Sequence, residues 1–365
     1  MNILLLVENT ARKGGVTKTT KSLYEKLDLL LGLNMSYFGV FPECFLVGWK
    51  RWLSFLIYPI FLIRLNRIIN IQQVDKVVCS HFVPIISIFL LNLFRKGKVD
   101  VINWLHIDLE SYALERTISS YIYCYVIPKV LKFKNTKTIF VSKESEKRTC
   151  DLYGLINTQT IYNIIFANKS YNSPDFHNKE LIFIGSFEKR KRLTYIIESL
   201  NYVHESISLR IVGGDKTSLV DFVNGLGLQR RVKFLGYTDP HKYLNKSSAL
   251  ILASTSEGFP LVLLEANAYN LPVISTDFKT GIREYFGLTD FASKLSHDIN
   301  LMTTGVLVNS SNGKDETIKN LSNAINLIFD NEKVYNSMVR ETKKEGENYD
   351  CNSIVSEWAK NFGLR

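Results

Sequence analysis

The segment Ser254-Thr-Ser-Glu257-Gly-Phe-Pro-Leu-Val-Leu-Leu-Glu265-Ala266 places two carboxylates where anion and polyol chemistry could meet. It follows the apolar run Ala249–Ala253, which reads as a strand, and leads into a helix. Gly258 and Pro260 suit a turn into a first helical turn. The free N–H groups of that turn and the positive end of the helix dipole would receive an anion such as a diphosphate. Glu257 then lies in the loop. Glu265 lies about two turns into an otherwise apolar helix, beside Leu263, Leu264 and Ala266. A carboxylate buried there needs a partner, because an unpaired buried charge is costly. A ribose diol, offering two hydrogen bonds, is one such partner; an exposed Glu on an amphipathic helix is the competing reading.

A second constellation is Ile184-Gly185-Ser186-Phe187-Glu188-Lys189-Arg190-Lys191-Arg192, four consecutive cations between a strand and a helix. Cations there suit a diphosphate leaving group, whose charge grows as a glycosidic bond breaks. A solvated basic turn is the alternative. A third is Arg12-Lys-Gly14-Gly15-Val-Thr-Lys18-Thr-Thr20 after the first strand. It looks like a Walker A loop, but Thr17 stands where that loop requires Gly before its Lys, and no obvious Walker B carboxylate follows. His106 ends the strand Val101–Leu105, and His81 follows Val77-Val78-Cys79-Ser80 as a weaker candidate. No Asp-x-Asp pair ends a strand; Asp108 and Glu110 are the nearest approach and read as a helix start. A metal site is not expected.

The elements that must position these residues alternate along the chain. Strands are expected at 2–7, 36–41, 76–81, 100–106, 136–142 and 159–163, with helical patterns between them such as Val16–Gly32, where Leu23, Leu27 and Leu30 recur at helical spacing. The polar run Ala167–Asp175 reads as a linker. A second series follows at 181–186, 208–213, 232–236, 249–254, 272–276 and 305–309. The expected class is α/β: two doubly wound, Rossmann-like domains facing across a cleft, with ligands beyond the carboxyl ends of the strands. The boundaries are expected at 1–168 and 169–350.

With 365 residues, 46% of them hydrophobic, the chain can bury two ordinary cores. Its five cysteines (Cys44, Cys79, Cys124, Cys150 and Cys351) are scattered without a CxxC pair, which fits a reducing compartment better than a disulfide framework. The apolar run Asn2–Val7 has no basic leader and reads as a first strand, not a signal peptide. Residues 1–170 hold 22 basic against 12 acidic side chains and so carry the whole net charge of +10. That asymmetry points to an anionic partner on the first half. Leu53–Ile63 and Phe82–Phe94 are both shorter than the ~20 residues of a membrane span. The second reads as a buried helix. The first mixes Trp49, Trp52, Phe55, Tyr58 and Phe61 with flanking Lys50, Arg51 and Arg64, which suits either a membrane interface or core packing.

The spacing of Glu257 and Glu265, with the flanking Glu-Gly-Phe-Pro-Leu-Val-Leu-Leu-Glu-Ala and Asn270-Leu-Pro-Val-Ile-Ser275, resembles the E-x7-E motif of retaining glycosyltransferases of the GT-B fold, family 4. The resemblance covers most of the chain and is strongest over 181–310. It implies that Glu257 contacts the hydroxyls of a donor sugar, that Glu265 holds the ribose, and that the backbone of Gly258, Phe259, Pro260 and Leu261 approaches the sugar and phosphates. Gly185 and Lys191 match a Gly-Arg-Leu-x-x-x-Lys pattern, whereas Ser186 stands at the Arg position, so Arg190 or Arg192 is expected to compensate. The Gly14-Gly15 loop would lie against donor phosphates or acceptor, His106 would reach the donor sugar, Gly213 would belong to a Gly-rich turn and Tyr237 to the segment beside the base. Residues 351–365 would cross back to the first domain.

The implied activity is metal-independent transfer of a hexose or N-acetylhexosamine from a nucleoside diphosphate sugar, UDP preferred, with no further cofactor. The implied acceptor is a lipid-linked oligosaccharide or lipopolysaccharide, met by a cytoplasmic protein on the anionic inner face of the cytoplasmic membrane. A nucleotide-sugar epimerase or hydrolase on the same fold is an alternative. So is a non-catalytic polyanion-binding protein, although no nucleic-acid motif is present and nucleic acid is not an expected partner.

Overall fold

The computed structural model describes residues 1–8, 15–31, 34–39, 50–95, 97–106, 109, 121–165, 173–215 and 217–364. The chain divides into two compact units, Met1–Ile165 with Cys351–Arg365, and Phe166–Asp350. The division falls at Ile165, earlier than the expected 168, just after the buried Ile161 and Ile164. Most of the expected linker lies outside the described residues.

Among its described residues the first unit holds six strands: β1 (Asn2–Val7), β2 (Asn34–Gly39), β3 (Lys76–Ser80), β4 (Asp100–Leu105), β5 (Thr136–Phe140) and β6 (Thr158–Thr160). Their order is β2-β1-β3-β4-β5-β6 and every pairing is parallel. Leu4, Leu5 and Leu6 are each fully buried on consecutive positions of β1, the mark of a strand covered on both faces. The helix Cys351–Phe362 belongs to this unit, and its Trp358 meets Trp104 edge-on at 4.9 Å between ring centroids.

The expected helix Leu53–Ile63 is part of a longer one, Lys50–Ile71. Phe61, Leu65 and Ile69, four residues apart, are buried along one stripe, while Ile60 and Ile63 are exposed. The Tyr58 hydroxyl lies 2.8 Å from Ser87 Oγ, so Tyr58 and Phe61 serve packing. Trp49 and the side chains of Trp52 and Phe55 lie outside the described residues. Phe82–Phe94 is a helix with the expected bounds, burying Ile85 and Ile88. Among the described residues no helix is long and apolar enough to cross a membrane.

Among its described residues the second unit holds seven strands: β7 (Glu180–Ile184), β8 (Ser208–Val212), β9 (Val232–Gly236), β10 (Ala249–Leu252), β11 (Val273–Thr276), β12 (Ile299–Met302) and β13 (Gly305–Val308). The order is β12-β13-β11-β10-β7-β8-β9, all parallel except β12, which pairs antiparallel with β13. That edge strand is not among the expected ones. Its four residues are mostly half-buried and Leu301 is exposed, so they give neither a buried run nor an alternation.

Candidate functional site

In the second unit β7 and β10 are neighbours, and their carboxyl ends bring the two motifs together. After β7 the chain passes Gly185 and closes a short 3-10 turn, Lys189–Lys191. The stem of Lys191 lies back over Gly185: a Cβ there would come within 3.0 Å of Lys191 Cδ. Lys191 Nζ donates to Glu257 Oε1 at 2.8 Å. Arg190 Nη1 stands 2.8 Å from Glu257 Oε2 and donates to the Ser256 carbonyl at 3.0 Å. Ser254 Oγ also donates to Glu257 Oε1, at 2.9 Å.

The Glu257 side chain is 11% exposed, so its electrostatics are those of a largely desolvated group. Burial alone would raise its carboxyl. Lys191, then Arg190, together with their hydrogen bonds, outweigh that and hold it below the usual range. For Arg190 burial works against the charge, and Glu257 followed by Glu188 more than offsets it. The result is a carboxylate fixed in its ionised form between two cations.

Arg190 is itself held. Its Nε donates to Glu188 Oε2 at 2.7 Å, and Ser186 Oγ donates to Glu188 Oε1 at 2.8 Å. Ser186, at the position where the resemblance expects Arg, anchors the carboxylate that aims Arg190. Arg192 takes a left-handed backbone, φ 45°, and its guanidinium lies over the Tyr195 ring at 5.2 Å. Of the two candidates to compensate for Ser186, Arg190 joins the cluster and Arg192 does not.

The loop carrying Glu257 is fixed by the segment after β11. Ser256 and Lys279 form a parallel bridge, Glu257 N donates to Lys279 O at 3.2 Å, and the Thr280 hydroxyl donates to Glu257 O. Gly281 has φ 89°, and a Cβ there would meet the Gly258 carbonyl at 2.9 Å. Glycine is therefore required by both backbone angle and space. Gly258 and Pro260 are buried, and the buried Phe259 faces Tyr349 at 5.7 Å. Leu261 opens the helix Leu261–Ala268. Glu265 in that helix is 3% exposed, which rules out the surface reading. It lies close enough to Tyr269 that burial, Asp239 and Glu265 together raise that phenol.

Glycines also end the other strands of this edge. Gly213 N donates to Gly236 O at 2.8 Å, and a Cβ on Gly213, φ 107°, would come within 2.3 Å of Gly185 O. No side chain fits between β7 and β8 there. Tyr237, beyond β9, is exposed.

The remaining expected residues belong to the first unit. His106 follows β4, with its ring 4.3 Å from that of Trp104. Burial first, then His81, drives its imidazole down to about 3 against an opposing hydrogen bond with Asn163, so it is neutral at working pH. Gly15 opens the helix Gly15–Leu31; Gly14, Asp108 and Glu110 lie outside the described residues. Glu188 and Ser254 lie within the two motifs, and Thr280 opens a turn that resembles one near the donor in the family, but none of the three had an expected role of its own. They hold Arg190, Glu257 and the loop through contacts that no spacing in the sequence marks.

The two parallel sheets and the charged strand-end cluster define a doubly wound α/β protein of the GT-B fold. The crystal structure of Anabaena HepE in complex with UDP-glucose has the same fold, with a TM-score of 0.74 at 16% identity over 99% of both chains. Residues 168–345 match the family Glycosyl transferases group 1. An uncharacterized glycosyltransferase of Methanocaldococcus jannaschii is 31% identical over 60% of this chain and 60% of its own length. The N-acetylgalactosamine-N,N'-diacetylbacillosaminyl-diphospho-undecaprenol 4-alpha-N-acetylgalactosaminyltransferase of Campylobacter jejuni is 30% identical over 40% of each chain. The chain thus matches less than two thirds of the length of either relative.

Proposed function

We propose that the protein is a retaining glycosyltransferase of family 4. It moves a hexose or N-acetylhexosamine from a nucleoside diphosphate sugar, UDP preferred, to a hydroxyl of a lipid-linked oligosaccharide or lipopolysaccharide. The observation that carries this reading is the buried Glu257 carboxylate held by Lys191 and Arg190 beside the start of the helix Leu261–Ala268. The group 1 match supports transfer. The Campylobacter relative, named for a diphospho-undecaprenol acceptor, supports a lipid-linked one. The UDP-glucose complex of the similar fold supports a UDP donor.

In this mechanism the donor diphosphate lies on Lys191, Arg190 and the N–H groups around Leu261. As the bond from the anomeric carbon to the phosphate oxygen breaks, negative charge grows on that oxygen, and the fixed cations stabilise it most in the transition state. Glu257, released from part of its ion pairing by the incoming phosphates, accepts hydrogen bonds from sugar hydroxyls. Glu265 accepts from the ribose diol. The acceptor hydroxyl attacks on the face the phosphate leaves, and its proton passes to the departing phosphate oxygen. Lys191, Arg190 and the helix start do the electrostatic work that a divalent ion does elsewhere, so no metal or other cofactor is needed. The basic first unit would keep the protein on the cytoplasmic face of an anionic membrane.

Calorimetric titration with UDP and GDP, followed by labelled-sugar transfer to lipid extract in excess EDTA, tests this. UDP binding with EDTA-resistant transfer is expected. GDP binding alone would reassign the base, and binding of neither would end the donor reading.

A further inference from the structure

The turn after β11 holds two consecutive residues in the left-handed region, Thr280 at φ 65° and Gly281 at φ 89°. Glycine takes that region freely, whereas a β-branched side chain is a true outlier there. Such a conformation persists only where the surroundings over-determine it, and it gathers at functional sites. Here it aims two contacts at one loop. The Thr280 hydroxyl donates to Glu257 O, and Gly281 packs against the Gly258 carbonyl. The backbone beside them is laced to the same loop, with Lys279 N donating to Thr255 O at 3.4 Å and Glu257 N to Lys279 O at 3.2 Å.

An ion pair closes this turn. Asp277 leaves β11 with its N–H on Val308 O at 2.8 Å, and Arg283 lies in the short helix Ile282–Tyr285. Arg283 Nε donates to Asp277 Oδ1 at 2.8 Å and Nη2 to Oδ2 at 2.6 Å, a two-pronged contact across residues 278–282 with Thr280 at their middle. The third guanidinium nitrogen, Nη1, donates to Ser293 O at 2.7 Å and to Asp290 O at 3.3 Å. The Arg283 and Asp277 side chains are 9% and 16% exposed, so breaking the pair would strand a largely buried charge. The planar fork of arginine meets a carboxylate with both prongs, which the point charge of lysine cannot do.

We propose that Asp277 and Arg283 form a clasp that keeps Thr280 left-handed and thereby fixes Glu257 toward the donor sugar. Both are positioning residues, since they act on Glu257 through the turn. Lys191 and Arg190 come from the loop after β7, a separate connection, so a loosened turn displaces Glu257 more than the phosphate cations. The clasp therefore bears on the sugar half of the donor and little on UDP. That assignment rests on the proposed contact of Glu257 with sugar hydroxyls.

The full chain is compared with its Arg283→Lys, Asp277→Asn and Thr280→Val variants in two measurements. The first is the titration of the Glu257 carboxyl without ligand, followed by carbon NMR and assigned with Glu257→Gln. The second is calorimetry with UDP and with UDP-glucose, UDP-galactose, UDP-N-acetylglucosamine and UDP-N-acetylgalactosamine. Lys191 and Arg190 hold Glu257 below the usual carboxyl range, so a displaced Glu257 should titrate at higher pH than in the wild type in all three variants. The variants should bind the wild type's preferred nucleotide sugar about tenfold more weakly, with UDP within about twofold. Substituting Asp277 and Arg283 together should cost no more than either alone, because one contact is being removed. Thr280→Val leaves the ion pair intact, so it decides the matter if the other variants do not fold. An unchanged Glu257 titration in folded variants overturns the proposal. So does an equal loss of UDP and nucleotide-sugar affinity, which would make the pair a general scaffold of the nucleotide site. If the wild type binds no nucleotide, or gains nothing from the sugar, a higher Glu257 titration in the variants upholds the clasp and counts instead against the donor reading.

Discussion

The carboxyl edges of the two sheets are built from different chemistry. In the second unit a buried carboxylate is locked between Lys191 and Arg190, and Arg190 is locked in turn by Glu188. In the first unit a neutral His106 and His81, with its backbone at φ 87°, line an aromatic cavity, and Glu8 stands 3.3 Å from His81. The second edge has the chemistry that the proposed diphosphate donor requires. A diphosphate needs fixed charges that are already oriented, since reorganising them during bond breaking would forfeit their advantage. Charged groups at an aromatic edge such as the first would have to be desolvated for little return.

The comparison is broken most directly at Lys191. If its charge acts on the leaving group, Lys191→Ala should lower kcat by about 10²–10³ while donor affinity falls much less. Steady-state kinetics with a UDP-sugar would show the split. A change confined to KM would reduce Lys191 to a docking charge, and the two edges would differ only in degree. The next largest effect is expected at Glu265. Removing a buried carboxylate that accepts from both ribose hydroxyls should cost about 2–4 kcal/mol of UDP affinity. Uridine should lose a similar amount, because the ribose is common to both. Unchanged binding by a folded Glu265→Ala would remove the ribose role.

A smaller effect separates the neighbouring arginines. Arg190→Ala should weaken UDP about tenfold through loss of one charge-assisted contact, and leave uridine unchanged. Arg192→Ala should stay within twofold for both, because its guanidinium is stacked on Tyr195. Equal losses for the two variants would mean that the stretch acts as a diffuse positive patch, not as an aimed pair.

The central strands were legible because parallel strands covered on both faces read as short apolar runs; the six strands expected in each unit are all present, and the second unit adds a seventh, β12. β12 was not, since an edge strand of four half-buried residues carries no pattern. Glu257 and Lys191 could be singled out from spacing and charge. The choice of Arg190 over Arg192 could not, because four consecutive cations look alike until the 3-10 turn and the left-handed Arg192 turn one inward and one away. The burial of Glu265 was an open choice in the sequence, and only the packing of Leu263, Leu264 and Ala266 around the same helix decides it. The strain at His81 has no counterpart in residue type: a histidine after an apolar strand looks ordinary whatever its φ.

The smallest effect concerns the surface of the first unit, where the charge asymmetry and the helix Lys50–Ile71 meet. Ile60 and Ile63 are exposed there, and Arg64 and Arg67 lie in the same stretch, while Tyr58 and Phe61 are turned to the interior. Insertion, if it occurs, therefore falls to the isoleucines and not to the described aromatics. Arg64 already lies over the Phe38 ring at 5.4 Å, which lessens what it can add at a lipid surface. Each basic residue near an anionic membrane contributes about 1 kcal/mol within a Debye length of about 8 Å. A few of them with one or two apolar contacts give reversible attachment and no more. Sedimentation with phosphatidylglycerol vesicles at low salt, release at high salt and no binding to neutral vesicles are expected. Replacing Lys50, Arg51, Arg64 and Arg67 by Ser should weaken attachment at least tenfold with UDP affinity unchanged, because the cations assigned to UDP belong to the second unit. Replacing Ile60 and Ile63 by Ser should weaken it further at any salt. If the wild type ignores anionic vesicles at low salt, the excess charge of the first unit serves an acidic acceptor or solubility, and the membrane has no part in how this edge works.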